Sequence, residues 1–205
     1  MERLKCYLVT DSAILGERDF YQAIEDALKA GIKTIQLREK DALGKEFLEK
    51  AFKLRELTKK YNALLFINDR VDVAMIVEAD GVHVGQKDIP AGYVRKLISN
   101  DMLLGVSANT VEQAKLAKEN GADYIGVGAV FNTSTKLDAD NVDHRMITSI
   151  KDSVEIPIVA IGGINLNNIS QLYDYNLAGY AVVSAILKAD DIYEESKLWI
   201  NELYK

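Results

Sequence analysis

Eight short apolar segments alternate with eight amphipathic segments along this chain of 205 residues, and this alternation is the strongest constraint on its fold. The apolar segments have the length and composition of strands, and the segments between them repeat apolar residues at helical spacing. We predict strands over residues 6–10, 34–40, 63–67, 80–85, 103–108, 124–130, 156–161 and 179–185. We predict helices over residues 20–30, 45–61, 71–77, 91–98, 110–120, 144–151, 166–175 and 191–203.

Eight consecutive strand–helix units predict an α/β protein whose parallel strands close into a (β/α)8 TIM barrel, a single domain over residues 1–205. The sequence between the units contains no linker rich in Gly, Pro or Ser, which favours one domain over two. An open doubly wound sheet is the alternative, because one misread strand would remove a unit. The units average about 26 residues, short for such a barrel, so we expect trimmed helices and loops.

The composition excludes several classes of protein. A formal charge of −6 argues against a nucleic-acid binder, so any basic site must be local. The N-terminal residues enter a strand within a few positions, so we expect no signal peptide, no membrane span and a cytoplasmic location. The single cysteine, Cys6, cannot form an internal disulfide. The sequence does not determine the oligomeric state, and a homo-oligomer is compatible with it.

The second predicted strand is polar on one face only. Side chains alternate faces along a strand, so Gln36, Arg38 and Lys40 share one face while Ile35 and Leu37 share the other. Two cations and an amide would be costly in a core unless an anion or water lies opposite. We therefore expect this face to look into a binding site. An edge strand with a solvated face is the alternative.

Polar residues follow most of the predicted strands, at the end where TIM barrels carry their active sites. Scattered surface polarity would not concentrate at one end of the strands in this way. The residues at the carboxyl ends of strands two to eight, or in the loops that follow, are Arg38, Lys40, Asn68, Asp69, Gln86, Asp88, Ser107, Thr133, Thr135, Lys136, Gly162, Gly163, Ser184 and Ala185. The loop over residues 131–141 is the longest in the second half of the chain, and long loops in compact domains are often functional.

Small residues after strands seven and eight predict a phosphate site. Gly162 and Gly163 precede a predicted helix, and Ser184 and Ala185 end the last strand. In TIM barrels this region commonly binds phosphate through backbone N–H groups. The alternative is that Gly163 only permits a tight turn.

Asp69 and Asp88 follow neighbouring strands, and two carboxylates at one rim repel each other unless a cation joins them. Mg²⁺ accepts oxygen ligands of this kind together with water and phosphate oxygens. The alternatives are a salt bridge from Asp69 to Arg70 and a helix N-terminal charge at Asp88. With Arg38, Lys40 and Lys136 nearby, the site suits two anionic groups, one of them a diphosphate.

Three further residues are interpreted as structural. Tyr7 shares a face with Val9 and would pack in the barrel interior, and His83 is favoured as a neutral buried histidine. His144 follows the long loop and is expected at the surface. These two histidines have no third partner in view, which disfavours a zinc site.

Six motifs in order along the chain resemble thiamine-phosphate synthase. They are Tyr7-Leu8-Val9-Thr10-Asp11, Gln36-Leu37-Arg38-Glu39-Lys40, Ile67-Asn68-Asp69-Arg70, the run from Ala79 through Asp80-Gly81-Val82-His83 to Asp88, Thr133-Ser134-Thr135-Lys136 and Val183-Ser184-Ala185-Ile186. The resemblance implies a transferase that joins an aminopyrimidine diphosphate to a thiazole phosphate and releases diphosphate. It also implies a dissociative mechanism, in which a pyrimidine methylene cation forms before the thiazole nitrogen captures it.

The same resemblance implies roles for particular residues. Catalysis would rest on Arg38, Lys40, Lys136 and Ser107, with Mg²⁺ held by Asp69 and Asp88. Two positions depart from the family pattern: Lys87 stands where an acidic residue is usual, and Asn132 where proline is common. The pyrimidine diphosphate would be held by Gln36, Arg38, Lys40, Asn68, Ser107 and Lys136, and the thiazole phosphate by Thr133, Thr135, Gly163, Val183 and Ser184. Leu37 and Glu39 are further substrate-binding positions in the motif over residues 36–40.

Two other functions stay open at this point. A thiazole tautomerase resembles the same barrel, but it has no diphosphate to stabilise. The retained Arg38, Lys40, Asp69, Asp88 and Lys136 therefore argue against it. A non-catalytic phosphate-binding barrel would account for Gly163 and Ser184 but not for Asp69 and Asp88. Turnover that depends on Mg²⁺ distinguishes the enzyme from the binding protein.

Overall fold

The structure is a computed structural model that describes residues 2–133 and 142–205. In this part of the chain eight parallel strands form a closed barrel in sequence order, which confirms the predicted fold class. Tyr7 pairs with Thr34 on one side and with Ala181 on the other, so the first strand joins the second and the last. The strands are β1 Cys6–Val9, β2 Thr34–Leu37, β3 Leu64–Asn68, β4 Gly81–Val84, β5 Leu103–Ser107, β6 Tyr124–Val127, β7 Ile158–Ile161 and β8 Gly179–Val182.

Helices surround the barrel and bury their apolar faces against the strands. They are α1 Ser12–Leu15, α2 Phe20–Lys29, α3 Gly44–Lys60, α4 Val71–Ile76, α5 Ala91–Leu97, α6 Val111–Glu119, α7 His144–Ser153, α8 Ser184–Leu187 and α9 Ile192–Leu203, with 3-10 turns at Glu2–Leu4 and Ile169–Tyr175. Several begin at a side-chain cap: Asp19 accepts from Gln22 N at 2.7 Å, and Thr110 accepts from Gln113 N at 3.2 Å. Each cap satisfies a backbone N–H that has no partner within its own helix. Among the described residues, no helix is both long and apolar enough to cross a membrane.

The core has two parts, which follow from the alternation of side chains along each strand. Outward residues such as Leu8, Ile35 and Leu65 pack against the helices and are fully buried. Inward residues fill the barrel itself and form a separate cluster of Leu4, Tyr7, Val9, Phe66, Tyr124, Val159 and Ala181.

Several predicted boundaries were wrong, and the causes are local. β6 ends at Val127 instead of residue 130. The Gly128 N–H donates to Asn109 Oδ1 at 3.1 Å and so does not take part in the hydrogen bonds between strands. β8 ends at Val182, because the carbonyl of Val183 accepts from Ile186 and Leu187 and starts α8.

Two further corrections concern predicted helix and loop segments. The helix predicted over residues 166–175 is a 3-10 helix from Ile169 to Tyr175. The loop predicted before α2 contains α1, whose N-cap Asp11 accepts from Ile14 N at 3.2 Å. Gly16, with φ at +63°, ends this short helix.

Candidate active site

A cavity of about 830 Å³ opens at the carboxyl ends of the strands. Its wall includes residues from the ends of all eight strands, so distant parts of the sequence meet there. Because most of them follow strands of a closed parallel barrel, their convergence is a direct result of the fold. The predicted site residues that line the cavity are Gln36, Arg38, Lys40, Asn68, Asp69, Asp88, Ser107, Thr133, Gly163, Val183 and Ser184.

The structure does not bring every predicted residue to this cavity. Leu37 faces outward and is fully buried against the helices. Glu39 also turns away: it accepts from Thr10 Oγ1 at 3.0 Å and pairs with Lys50 Nζ at 3.3 Å. Thr135 and Lys136 lie outside the described residues.

Arg38 is held at the rim by two residues that follow β1, Thr10 and Asp11. Its backbone N–H donates to Thr10 Oγ1 at 3.0 Å, and its guanidinium lies 3.5 Å from the Asp11 carboxylate. The Arg38 side chain is 15% exposed. A guanidinium positioned in this way presents several N–H donors in a planar fork, which suits the oxygens of a phosphate group.

Asp69 and Asp88 meet on the same side of the rim as Arg38, after the neighbouring strands β3 and β4. Burial, followed by a hydrogen bond to Asp88 and the charge of Asp88, raises the pKa of Asp69 to about 6, while Asn68 and Arg38 oppose the shift. Asn68 Nδ2 donates to Asp69 Oδ2 at 2.7 Å, and Gly85 N donates to Asp88 Oδ2 at 2.7 Å. Both carboxylates are therefore oriented by fixed donors and held together despite their like charge.

The backbone of Asp69 is part of this arrangement. Asp69 adopts a left-handed conformation with φ at +61°, which residues other than glycine rarely do. Its N–H donates to the His83 carbonyl at 2.8 Å, an interaction that ties the end of β3 to β4. Such conformations persist where the surrounding structure enforces them, and they are frequent at functional sites.

The donor set at Asp69 and Asp88 fits a hard divalent cation that is shared with a ligand. Within residues 2–133 and 142–205, no group of three or more His, Cys, Asp or Glu side chains could enclose a metal ion. Mg²⁺ commonly binds one or two carboxylates and completes its shell with water and substrate phosphates. Two carboxylates at an open rim match that requirement.

The far side of the cavity is built from small residues after β7 and β8. Gly162 and Gly163 have φ of +101° and +66°, and Gly163 approaches the backbone of Phe131 and Asn132 so closely that a Cβ would come within 2.8 Å of it. The Gly163 carbonyl accepts from Asn168 Nδ2 at 2.9 Å, which fixes the turn. Backbone N–H groups of such a turn can face an anion at close range.

A chain of polar side chains crosses the barrel beneath the cavity, and we call it the interior network. Gln36 Nε2 donates to Tyr7 Oη at 2.8 Å, and the hydroxyls of Tyr7 and Tyr124 are 3.0 Å apart. Tyr124 Oη lies 2.9 Å from His83 Nδ1, and His83 Nε2 lies 2.9 Å from Ser107 Oγ. The network thus connects two predicted site residues, Gln36 and Ser107, through side chains from β1, β4 and β6.

The sequence interpretation missed most of this network. Tyr124 was not among the candidates, while Tyr7 and His83 were interpreted as core residues. Both tyrosines are 1% exposed, and burial raises the pKa of each hydroxyl well above its ordinary value. The available signal was the inward position of Tyr7 and Tyr124 on their strands, because a buried tyrosine hydroxyl needs a partner.

One further contact fixes the rim near Ser107. Gln86 Nε2 donates to the Ser107 carbonyl at 2.6 Å and so joins the loop after β4 to the end of β5. This hydrogen bond holds the loop that carries Asp88 to the end of β5, and the contact between His83 and Ser107 joins the same two strands in the interior network.

Comparisons with known proteins agree with one another. A family model described as thiamine monophosphate synthase matches residues 6–186, from the first residue of β1 into α8. The thiamine-phosphate synthase of Clostridioides difficile (strain 630) is 58% identical over 196 residues, covering 96% of this chain and 93% of that protein. The thiamine-phosphate synthase of Clostridium tetani (strain Massachusetts / E88) is 52% identical over 186 residues, covering 91% and 89%. Among solved structures, thiamine phosphate pyrophosphorylase from Pyrococcus furiosus has a TM-score of 0.90 at 36% identity, covering 100% of this chain and 98% of that chain.

Proposed function

The chain belongs to the thiamine monophosphate synthase family and acts as a thiamine-phosphate synthase, a transferase, and from this premise we propose which residues bind each substrate and which stabilise the leaving group. The substrates are an aminopyrimidine diphosphate and a thiazole phosphate. The observation that carries the proposal is the meeting of Asp69 and Asp88 at the rim that Arg38 also lines. A paired carboxylate site with a cationic neighbour is suited to a metal-bound diphosphate.

The diphosphate occupies the side of the cavity formed by β2, β3 and β4. Arg38 and Lys40 bind its oxygens, and Asn68 orients Asp69. Mg²⁺, when bound by Asp69 and Asp88, would neutralise charge on the diphosphate as it leaves. Lys136 belongs to the same group of cations by resemblance. Lys87, which departs from the family pattern, adds a positive charge next to Asp88 and weakens the attraction of this rim for Mg²⁺.

The pyrimidine lies deeper, against Gln36 and Ser107. The thiazole phosphate binds on the opposite side, at Gly163 and Ser184, with Val183, Thr133 and Thr135. A cavity of about 830 Å³ falls within the range of sites that bind small ligands. This division keeps the two anionic groups apart and points the reacting ends of the substrates toward each other.

The reaction is dissociative in this proposal. The bond between the pyrimidine methylene carbon and the diphosphate oxygen breaks, and its electron pair leaves with the diphosphate. The thiazole nitrogen then donates its lone pair to the methylene carbon. Arg38, Lys40 and Lys136 stabilise the negative charge that grows on the leaving oxygens, an effect that is large in a site shielded from water.

The test is product formation from both substrates, with and without Mg²⁺, followed by chromatography of thiamine phosphate and diphosphate. We expect equimolar products that require Mg²⁺, and a loss of activity in Asp88→Ala. Asp72→Asn is the matched control, because Asp72 lies one turn away, is exposed and pairs with Arg70 at 2.6 Å. Full activity of Asp88→Ala at every Mg²⁺ concentration would refute the metal assignment.

A further inference from the structure

The hydrogen bond from the Gln36 amide nitrogen to Tyr7 Oη is a starting point from which a direction can be assigned to the rest of the interior network. Gln36 uses its amide nitrogen as a donor to Tyr7 Oη, so the Tyr7 hydroxyl accepts there and its own proton points to Tyr124. If Tyr124 accepts that proton, its own proton has His83 Nδ1, 2.9 Å away, as its acceptor. A ring nitrogen that accepts carries no proton, so the neutral imidazole holds its proton on Nε2 and donates it to Ser107 Oγ.

Each end of the network therefore has a defined role toward a ligand. The Gln36 amide nitrogen donates to Tyr7, so the amide oxygen of Gln36 is the atom that can accept a hydrogen bond from the ligand. At Ser107 the hydroxyl oxygen receives a proton from His83 and keeps its own proton to donate. Turning the Gln36 amide over would reverse every bond in between, so that Gln36 would donate to the ligand and Ser107 would accept.

We propose that Tyr7, Tyr124 and His83 are positioning residues that couple Gln36 to Ser107 and thereby select the hydrogen-bonding pattern of the pyrimidine. This inference rests on the proposed function, which places the pyrimidine against Gln36 and Ser107. A 4-aminopyrimidine carries a donor amino group beside an acceptor ring nitrogen. The 4-oxo analogue presents the opposite pattern, an acceptor oxygen beside a ring N–H. The direction assigned to the network from the Gln36 amide complements the amino form.

The barrel provides space for this arrangement at one position on β5. Gly105 faces inward between Tyr124 and His83, and a Cβ there would collide with both rings. Phe66 packs on the other side of the tyrosines, with ring centroids 5.5 Å from Tyr7 and 5.6 Å from Tyr124. The tyrosine rings are thus held by packing that is separate from the hydrogen bonds.

The first measurement is the protonation site of His83 in the substrate-free protein. The chain has only two histidines, so nitrogen NMR of protein labelled at histidine shows two rings, and His144→Gln assigns them. In the wild type, at a pH where the ring is neutral, we expect His83 to carry its proton on Nε2. In Tyr124→Phe we expect the second tautomer to appear, because Nδ1 loses its donor. A wild-type proton on Nδ1 would overturn the proposal.

The second measurement is the ratio of kcat/KM for the 4-amino substrate over the 4-oxo analogue. In Tyr124→Phe and in Tyr7→Phe the two ends of the network can reverse independently, and we expect the ratio to fall about tenfold, as for one lost hydrogen bond. Phe66→Leu is the control: it alters the packing of both rings but no hydrogen bond, so it lowers thermal stability and leaves the tautomer and the ratio unchanged.

The outcomes separate this inference from the function on which it rests. An unchanged ratio in both tyrosine variants, or an equal fall in Phe66→Leu, would overturn the coupling. If the wild type makes no product while His83 still changes tautomer in Tyr124→Phe, the hydrogen-bond direction stands and the proposed function fails.

Discussion

Replacing Asp69 by Asn should stabilise the substrate-free protein while it removes the response to Mg²⁺. The amide has the shape of the carboxylate, tolerates the left-handed backbone at φ +61°, and can accept the hydrogen bond from Asn68 through its oxygen. What it removes is a negative charge that burial and Asp88 disfavour, as the rise in the pKa of Asp69 shows. Stability and function are therefore in conflict at this residue.

The size of the effect follows from the pKa of Asp69, which rises from 3.8 to about 6 on folding. Such a rise sets an upper limit of about 3 kcal/mol on the gain in the free energy of unfolding. Because the side chain is only partly buried, solvent screening reduces this to about 1 kcal/mol. For a chain of this size, that corresponds to a melting temperature about 3 °C higher.

The sign of the pH dependence is set by the raised pKa. Below about pH 4, Asp69 is protonated in both the folded and unfolded states and carries no penalty; between about pH 4 and 6 the unfolded chain ionises first, and the folded state loses stability. The variant should therefore gain most over the wild type at pH 8, and the difference should vanish near pH 4.

Thermal unfolding at both pH values, with and without Mg²⁺, tests this reasoning. Mg²⁺ should raise the wild-type melting temperature, because it binds the folded state, and should have little effect on the variant. Asp72→Asn is the control. Arg70 lowers the pKa of Asp72, so the folded protein favours the charge of Asp72, and removing that charge should not raise the melting temperature. A melting temperature of Asp69→Asn at or below that of the wild type at pH 8 would refute the proposed repulsion.

Three other changes test separate parts of the site. Lys136→Ala should slow single-turnover product formation more than it weakens pyrimidine diphosphate binding, with a loss of about 2–4 kcal/mol in the transition state, as for a lost oxyanion donor; an unchanged single-turnover rate would make Lys136 a ground-state ligand. Gly163→Ala should displace the turn and weaken thiazole phosphate more than pyrimidine diphosphate in calorimetric titrations, and equal losses with an unchanged circular dichroism spectrum would contradict separate phosphate sites. Gly105→Ala should push apart Tyr124 and His83 and cost about 1–3 kcal/mol in chemical denaturation, and unchanged stability would show that the barrel relaxes around the added methyl group.

The sequence could predict the side of each strand that faces the site but not every contact made there. Alternation correctly separated Gln36 and Arg38, which line the cavity, from Leu37, although β2 ends at Leu37 and not at residue 40 as predicted. It could not foresee the partners of Glu39. Thr10 reaches Glu39 from the segment after β1 and Lys50 reaches it from α3, and their distances depend on how the helix packs on the barrel.

The ends of β6 and β8 were also beyond the reach of periodicity. Both apolar runs continue past the point where the strand stops, so hydrophobic pattern alone predicts longer strands. The structure ends β6 with a hydrogen bond from Gly128 to Asn109, a residue from the loop after β5. Such a contact between neighbouring loops exists only once the barrel has closed.

The interior network is the clearest example of contacts that form only when the barrel closes and that the sequence pattern alone does not predict. Tyr7 and Tyr124 lie on β1 and β6, which are not neighbours in the sheet, so their hydroxyls meet across the barrel. They can do so because the residues paired with the large rings on neighbouring strands are glycines. Gly105 on β5 leaves room for Tyr124, and Gly81 on β4 leaves room for Phe66. A pattern of inward glycines facing inward aromatic residues is visible in the sequence once the strands are aligned. It predicts that a ring crosses the barrel, while the identity of its hydrogen-bond partner depends on the stagger of the strands.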